Sequence, residues 1–390
     1  MAVSNSAILA ILTGLILYSK KFAYLHVTVG SIPLYITEIG IIIFVSIWIA
    51  AVFASKGIIR FPKEQRTLLI LWLCWGAVEC IRGYGNGIMA LRDFALNYYA
   101  IFVLIGYEIV RSAKNYGAYV RWFAITVAIG ALGELITSAF SIYSAIVPKL
   151  NVLAIGYILL LPIVTFNKYQ KYERLLIVLA SLALILMITS YINRSILLGV
   201  AAGMVPLYLY GDHRTRRNIL LAIILLVPIS IAIAVSGADL SHSGTLAWRL
   251  TVWKEVFRNA LNSPWIGTGF GVPTVTPEMI PDEATAKHPH NVLLTIFIQQ
   301  GLVGVAIFIA IGIRYFRDII DTLSLAKAYL PNMYRFTLSL LGFYVVILVF
   351  ALANVALEGP FHGIWYWLTI GAGYAVRENA RKHTVRIGAN

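Results

Sequence analysis

Apolar runs close to the length of a membrane span recur along the whole chain, separated by short polar segments. A transmembrane helix needs about 20 mostly apolar residues. The pattern predicts spans at about 3–19, 35–55, 67–81, 94–110, 122–140, 151–166, 175–192, 195–210, 218–236, 291–313, 336–356 and 362–376. We therefore expect an all-α polytopic membrane protein of about 12 transmembrane helices, with residues 1–390 in one integral membrane domain.

The first apolar run is the weakest, because Lys20 and Lys21 end it. A cleaved signal peptide would need a basic segment before the run and an A-x-A site after it. The sequence has neither, so we expect a span there.

Composition and charge agree with the membrane class and predict an orientation. Hydrophobic residues make up 60% of the chain and charged residues 12%, as in integral membrane proteins. With the N-terminus inside, 21 of the 31 Lys and Arg residues fall on the cytoplasmic side, as the positive-inside rule requires. Topology therefore accounts for the net charge of +14, and no nucleic-acid partner is expected.

The sequence carries no pattern typical of a metal site or a disulfide. Cys74 and Cys80 lie six residues apart in one predicted helix and point to different faces, so a disulfide between them is not expected. His288 and His290 alternate in a predicted extended segment and should point to opposite sides. The chain also has no DxD sequence for a metal-bound diphosphate. We expect neither a metal nor a cofactor.

The long polar insert is residues 237–290, between the ninth and tenth predicted spans on the outer side. An elaborated loop on a rigid scaffold often carries function. Residues 246–261 predict an amphipathic helix, with apolar residues at helical spacing: Leu250, Trp253, Val256, Phe257, Ala260 and Leu261. We expect this helix to lie on the membrane surface and to contact membrane lipids.

A glycine-rich segment, Gly267 to Gly271, follows this helix. It lacks both the Lys-Ser/Thr ending and the preceding strand of a phosphate-binding loop, so nucleotide binding is disfavoured. The glycines indicate either a sharp turn at the membrane surface or a close approach of the backbone to a ligand.

Several arginines fall on the predicted outer face, against the general charge bias: Arg82, Arg92, Arg194, Arg249 and Arg258. A guanidinium group near lipid is costly unless it faces a cavity or a partner. Its planar fork also matches phosphate oxygens. Together the arginines indicate an anion site. For each one, snorkelling to the interface or a pair with Glu79 or Asp93 remains open.

His290 lies at the start of the tenth predicted span, at the boundary between water and membrane. Histidine titrates near neutral pH, which suits a general base or a hydrogen-bond donor. We favour such a role for His290, because it coincides with the arginines and the polar loop. For His288 a structural role is favoured.

These motifs resemble those of the bacterial O-antigen ligase and O-antigen polymerase family of membrane glycosyltransferases. The matching features are Arg194-Ser195, Arg249 followed by Trp253, the sequence SPWIGTGFG from Ser263 to Gly271, His290-Asn291, and QGLVG from Gln300 to Gly304. The order and spacing of the last block are the specific part. By motif, the resemblance covers about residues 180–310.

The resemblance implies a metal-independent glycosyltransferase of the C-type fold, in the bacterial inner membrane with its active site facing the periplasm. Because the predicted site has no pair of carboxylates, we expect a single, inverting displacement. Its donor would be an undecaprenyl-diphosphate-linked glycan, and a chain-length regulator is a further expected partner. Arg194 and Arg249 would stabilise the leaving diphosphate, and His290 would orient or deprotonate the acceptor hydroxyl. The expected substrate-binding residues are Arg82, Arg92, Arg258, Asn291, His288 and Trp253.

Two acceptors fit the family. A polymerase would use a second carrier-linked repeat unit, whereas a ligase would use lipid A-core. The compact outer loop favours the polymerase, and the ligase is the alternative. From another class, a transporter or flippase of lipid-linked oligosaccharides would use Arg194, Glu134 and Glu79 along a translocation path. That function would leave the outer loop without a role.

Overall fold

A computed structural model gives the structure of part of the chain. The described residues are 26–29, 32–35, 61–111, 194–217, 219–220, 223–224, 243–275 and 288–388, with single positions 39, 42, 46 and 50. Predicted spans 3–19, 122–140, 151–166 and 175–192 lie outside these residues, as do most of 35–55 and 218–236.

Helices make up most of the described residues. The first group is α1 (Lys63–Arg82), α2 (Ile88–Asp93), α3 (Ala95–Tyr98) and α4 (Phe102–Arg111), with 3-10 turns at Tyr84–Asn86 and Tyr99–Ile101. The second group is α5 (Arg194–Tyr210), α6 (Ser243–Ala260), α7 (Val292–Tyr329), α8 (Pro331–Ala351) and α9 (Pro360–Gly388). Every predicted span that falls wholly within the described residues is helical over most of its length.

Within the described residues, three helical stretches are long and apolar enough to cross a membrane: Ile88–Glu108, Val292–Lys327 and Pro331–Ala351. They correspond to the predicted fourth, tenth and eleventh spans. The protein is accordingly a helical membrane protein, while the number of twelve spans stays a prediction. α7 has 38 residues and continues past residue 313, where the tenth span was expected to end. A helix can continue from the membrane into water, and the charged residues after that point suit such an extension.

A short antiparallel hairpin departs from the all-α prediction. β1 (His26–Val29) pairs with β2 (Ile32–Tyr35), with His26 opposite Tyr35 and Val29 opposite Ile32. β-branched and aromatic side chains favour strands. Four-residue strands are too short to give a clear alternation in the sequence, which is why the apolar runs alone did not indicate the hairpin.

α1 and α7 pack antiparallel to each other. Near the start of α1, the side chain of Gln65 donates to Asp318 at 2.6 Å. Further along α1, the indole N–H of Trp75 donates to the Gln300 carbonyl at 3.0 Å. The end of α1 therefore lies beside the first part of α7.

α5 and α8 are also antiparallel. The side chain of Asn354, just after α8, donates to the Ser195 hydroxyl at the start of α5 at 2.9 Å. At the other end of the pair, the hydroxyl of Tyr334 donates to the Tyr210 carbonyl. The start of α5 therefore lies at the same end of its pair as the end of α8.

The helices thus have two ends, which differ in charge. We call the end that contains the end of α1 and the starts of α5 and α7 the site end, and the other the opposite end. Ion pairs of the opposite end are Glu64–Arg314, Arg314–Asp318, Asp318–Arg377, Asp212–Arg335, Glu108–Arg111 and Glu378–Lys382. The described Lys and Arg residues predicted to be cytoplasmic lie there, whereas those predicted to be outside lie at the site end. Which end faces the periplasm stays a prediction.

Cysteine labelling tests this orientation. Most Lys and Arg residues fall on the predicted cytoplasmic side, which places residue 276 outside. A cysteine at Thr276 in the predicted outer loop should therefore react with a membrane-impermeant thiol reagent added from outside. A cysteine at Lys327, near the end of α7, should not react. Both probes need a background without Cys74 and Cys80, since these are free thiols. Labelling of position 327 from outside would overturn the orientation.

Candidate active site

The predicted amphipathic helix is α6, and one of its faces packs onto the first part of α7. Val252, Val256 and Ala260 recur every four residues and are almost completely buried. They form an apolar cluster with Phe297 and Ile298 of α7. This contact holds α6 against the site end of the molecule.

α7 is broken at Gly301, where φ is 65° and ψ is −169°. A break of this kind frees carbonyl groups that an intact helix would use. The Ile298 carbonyl instead accepts from the backbone N–H of Thr268 at 2.7 Å. The Gln299 carbonyl accepts from the N–H of Gly269 at 3.0 Å. Residues after α6 therefore supply the donors that the broken helix lacks.

The same loop satisfies amide groups beyond the break. The N–H of Leu302 donates to the Pro264 carbonyl at 2.8 Å, and the N–H of Val303 donates to the Trp265 carbonyl at 3.3 Å. Non-helical backbone at membrane depth is tolerated only where it is buried in protein or lines a water-filled cavity. We call residues 263–271 the glycine loop. Through its backbone, this loop completes the hydrogen bonding of α7.

Glycine is needed in this loop for two reasons. Gly267, Gly269 and Gly271 have φ values of 67°, 85° and 82°, which other residues rarely adopt. A Cβ atom on Gly267 would also lie 2.5 Å from the carbonyl carbon of Gln299. The segment thus forms the sharp turn that the sequence indicated, and its close backbone approach is to α7.

Substitution of Gly301 tests how closely the loop fits the break. A Cβ atom at Gly301 would lie 2.3 Å from the carbonyl carbon and oxygen of Trp265, at a φ that disfavours alanine. Gly301→Ala should therefore destabilise the fold by about 1–3 kcal/mol, measured as a lower melting temperature in detergent. Gly85→Ala is the matched control, because a Cβ atom there meets nothing within 4 Å. Equal melting temperatures for the two variants would contradict the described fit.

Arg82 links the end of α1 to the glycine loop. Its Nη1 pairs with Oε2 of Glu79 at 2.5 Å. The same guanidinium donates to the carbonyls of Ile266 at 2.7 Å and Gly267 at 3.1 Å. Glu79 is completely buried, whereas Arg82 is one-third exposed. Of the alternatives that the sequence left open for Arg82, the structure shows the pair with Glu79.

Asp93 holds the other end of the glycine loop. Its Oδ2 accepts from the N–H of Gly271 at 2.9 Å and from Nε2 of Gln299 at 2.8 Å. Nearby, the side chain of Asn86 donates to the Phe270 carbonyl at 2.9 Å. The segment from the end of α1 through α2 therefore contacts both the glycine loop and the first part of α7.

His290 has an unusual backbone conformation immediately before α7. Its φ is 54°, the one positive value among non-glycine residues in the described part of the chain. The preceding carbonyl, of Pro289, accepts from the indole N–H of Trp253 in α6 at 2.6 Å. The prediction that His288 and His290 simply alternate along an extended segment is therefore wrong at His290, because a left-handed φ turns the chain there.

Asn291 caps α7. Its Oδ1 accepts from the N–H groups of Leu293 at 3.0 Å and Leu294 at 3.2 Å, as expected for an N-cap residue. The cap fixes the chain directly after His290, and the bond from Trp253 to Pro289 fixes it directly before. Asn291 was predicted to bind substrate, and the structure gives its side-chain oxygen a role in the helix.

Arg249 lies one helical turn before Trp253 on α6, so the two side chains share a face. It is half-buried, and burial lowers the pKa of its guanidinium. Within the described ranges, no carboxylate forms an ion pair with it. A half-buried cation without a neighbouring counter-charge favours an anionic ligand.

Arg194 is the first residue of α5, at the site end. The next residue, Ser195, is buried and bonded to Asn354, which ties the start of α5 to the segment after α8. The three predicted catalytic residues, Arg194, Arg249 and His290, thus belong to three elements that share one end of the molecule. That the two arginines face one cavity stays a prediction.

This chain is similar to known proteins over the segment that contains Arg194, Arg249 and His290. Residues 175–309 match a protein family described as O-antigen ligase. The predicted family resemblance is confirmed. The chain is also 26% identical over 127 residues to the O-antigen ligase of Pseudomonas aeruginosa PAO1. That alignment covers 30% of this chain and 28% of the length of the relative.

The segment that matches this family contains most of the site elements described above. It contains α5, α6, the glycine loop, His290 and the break at Gly301. It excludes Arg82 and Asp93, which hold the glycine loop from the side of α1 and α2. The matched segment is therefore completed by side chains from outside it.

The remaining predicted substrate-binding residues lie nearer the surface or beside His290. Arg258 is exposed and pairs with Glu255 at 3.2 Å. Arg92 is exposed in the last turn of α2. His288 is half-buried, two residues before His290. Contact of these residues with substrate stays a prediction.

Sequence reasoning did not assign Asp93 and Gln299 to the site. Their bond joins residues 206 positions apart, so no local spacing could indicate it. The one signal in the sequence was the run of glycines from Gly267 to Gly271. It indicates a close approach of the backbone to a partner without identifying that partner. No group of three or more potential metal ligands occurs among the residues that the structure describes.

Proposed function

We propose that this protein transfers a glycan from an undecaprenyl-diphosphate carrier to an acceptor hydroxyl at the periplasmic face of the bacterial inner membrane. The observation that carries the proposal is the arrangement of Arg249 and His290. Arg249 is half-buried without a carboxylate partner in the described region, and it shares a helix face with Trp253. Trp253 in turn bonds the carbonyl next to His290. An anion-seeking group and a candidate base thus lie on adjoining segments.

The proposed reaction is one displacement at the anomeric carbon. The acceptor oxygen attacks that carbon, and the bond from the carbon to the diphosphate oxygen breaks. The electron pair of that bond leaves with the diphosphate, and the acceptor proton passes to His290. A single displacement inverts the configuration of the sugar, whereas a double displacement would need a carboxylate nucleophile on the face of the sugar opposite the leaving group.

The leaving diphosphate gains negative charge as the glycosidic bond breaks. Fixed guanidinium groups stabilise such charge without reorganisation at the moment of reaction. We assign this role to Arg249 and Arg194. Since these cations can supply the stabilisation, we propose that the transfer is independent of metal ions.

The acceptor separates two activities of the same site. The compact outer loop favours a second carrier-linked glycan, as in a polymerase. The matched family and the relative are both described as O-antigen ligase, which favours lipid A-core as the second candidate.

A transfer assay with purified protein tests the proposal. The donor is a lipid-diphosphate-linked oligosaccharide, offered with either a second carrier-linked unit or lipid A-core as acceptor. We expect release of lipid diphosphate and a new glycosidic bond of inverted configuration with one of the two acceptors, unchanged by EDTA. Loss of transfer on adding chelator would refute the metal-independent mechanism. Absence of transfer to both acceptors would refute the proposed reaction.

A further inference from the structure

We propose that Arg82 and Asp93 are positioning residues for glycan transfer: together they hold the glycine loop against the break in α7. This proposal rests on the proposed function above. In this view neither side chain contacts the substrate. They act by fixing α6, which carries Arg249, relative to the first half of α7, which follows His290.

The contacts of Arg82 favour this role over phosphate binding. Its guanidinium already donates to the Glu79 carboxylate and to the carbonyls of Ile266 and Gly267. Glu79 is completely buried, so its charge depends on Arg82 for compensation. A diphosphate that recruited Arg82 would leave this carboxylate buried without its partner.

Asp93 complements Arg82 at the far end of the loop. Arg82 binds carbonyls at residues 266 and 267, whereas Asp93 binds the N–H of Gly271. The same Asp93 oxygen also accepts from Gln299, two residues before the break at Gly301. One carboxylate therefore joins the loop to the half-helix that begins beside His290.

α6 and the residues that precede α7 are also in contact next to His290, the proposed base. The glycine loop follows directly from α6, and Trp253 of α6 bonds the Pro289 carbonyl. If the loop shifts, α6 and the first half of α7 can move relative to each other. A misplacement of about 1 Å between reacting groups can cost about 100-fold in rate.

The first experiment measures kcat and donor KM separately for Arg82→Ala, Glu79→Ala and the double variant. We expect each single variant to lower kcat by about 10- to 100-fold, with the donor KM changed by less than about 3-fold. The kcat of the double variant should be no lower than that of the less active single variant, because the two residues act as one unit. Arg82→Lys should recover part of kcat, because it keeps the charge beside Glu79 and loses the fork to the carbonyls.

The matched control is the pair Glu108 and Arg111. It has the same spacing as Glu79 and Arg82, and Arg111 is 30% exposed against 33% for Arg82, but the pair lies at the opposite end. Alanine at these two positions should leave kcat and donor KM unchanged. A large rise in donor KM for Arg82→Ala, together with normal or tighter donor binding by Glu79→Ala, would show that Arg82 binds the diphosphate and would overturn the proposal.

Asp93 offers a second test that separates positioning from proton transfer. Asp93→Asn keeps an oxygen that can accept from Gly271 and Gln299, so it should retain most of kcat. Asp93→Ala should lose about 10- to 100-fold. An inactive Asp93→Asn enzyme would instead indicate that the carboxylate charge takes part in the reaction, and would overturn its assignment as a positioning residue.

A distance measurement tests the positioning without any substrate. Spin labels at Tyr84 and Lys254, both exposed, report the separation of the α1–α2 connection from α6 in a background lacking Cys74 and Cys80. The wild-type background should give one narrow distance distribution, and Arg82→Ala should broaden or shift it. An unchanged distribution would overturn the inference. The wild-type protein could instead show no transfer activity while Arg82→Ala still broadens the distance distribution. That result would refute the proposed reaction and leave the positioning role intact.

Discussion

Replacing His290 with alanine is expected to slow glycan transfer by about two to four orders of magnitude, the usual contribution of a general base. Donor binding should remain largely intact, because the diphosphate is assigned to the arginines. The backbone around His290 is fixed by the Pro289 bond to Trp253 and by the Asn291 cap of α7. The backbone of His290 is therefore held at the start of a helix. The measurement is kcat and donor KM in the lipid-diphosphate assay.

His288→Ala is the matched control for this prediction. His288 lies two residues earlier, before the segment that Trp253 and Asn291 fix, and its loss should lower the rate less. An active His290→Ala enzyme beside an inactive His288→Ala enzyme would reverse the assignment of the base.

Alanine at Arg249 or Arg194 is expected to remove about 2–4 kcal/mol of transition-state stabilisation, the scale of one preorganised donor. The loss should appear in kcat/KM for the carrier-linked donor. Arg→Lys should recover activity only in part, because a lysine lacks the two-pronged contact with phosphate oxygens. The half-buried position of Arg249 supports a large effect, since water screens it less than an exposed cation.

Lys254→Ala provides the control for Arg249→Ala. Lys254 lies on the same helix but is exposed, so its loss removes a positive charge without touching the proposed site. It should leave kcat/KM nearly unchanged. Near-normal turnover of both arginine variants, with normal insertion into the membrane, would rule out the anion site.

The sequence pattern was sufficient to predict the elements of the fold that have a strong local signal. The amphipathic helix predicted over 246–261 is observed at Ser243–Ala260. Of the apolar residues that defined its predicted face, Val256 and Ala260 are buried against α7, whereas Leu250, Phe257 and Leu261 are exposed. Val252, which the prediction did not include, completes the packed face. For the glycine-rich segment the sequence left open a sharp turn at the membrane surface or a close backbone approach to a ligand. The structure shows a turn, in which Gly267, Gly269 and Gly271 have positive φ values.

Features that depend on distant partners could not be predicted in the same way. Gly301 lies within an apolar run, where a single glycine is compatible with a continuous helix, and its break is stabilised by Pro264 and Trp265. The left-handed φ of His290 likewise depends on the flanking contacts rather than on its own propensity. The sequence identified Arg82 and Asp93 as candidates for pairing, but not the loop that they hold.

The exchange of hydrogen bonds between the glycine loop and α7 also limits how this chain can be recombined with similar proteins. A chimera that receives only the predicted outer loop of a similar protein would pair a foreign loop with the native helix break. Its backbone groups at Ile298, Gln299, Leu302 and Val303 would then depend on donors and acceptors that had not been matched to them. If a preference for the proposed acceptor is to be transferred, we therefore expect that α6, the glycine loop and the α7 segment through Gly304 must be grafted as one block.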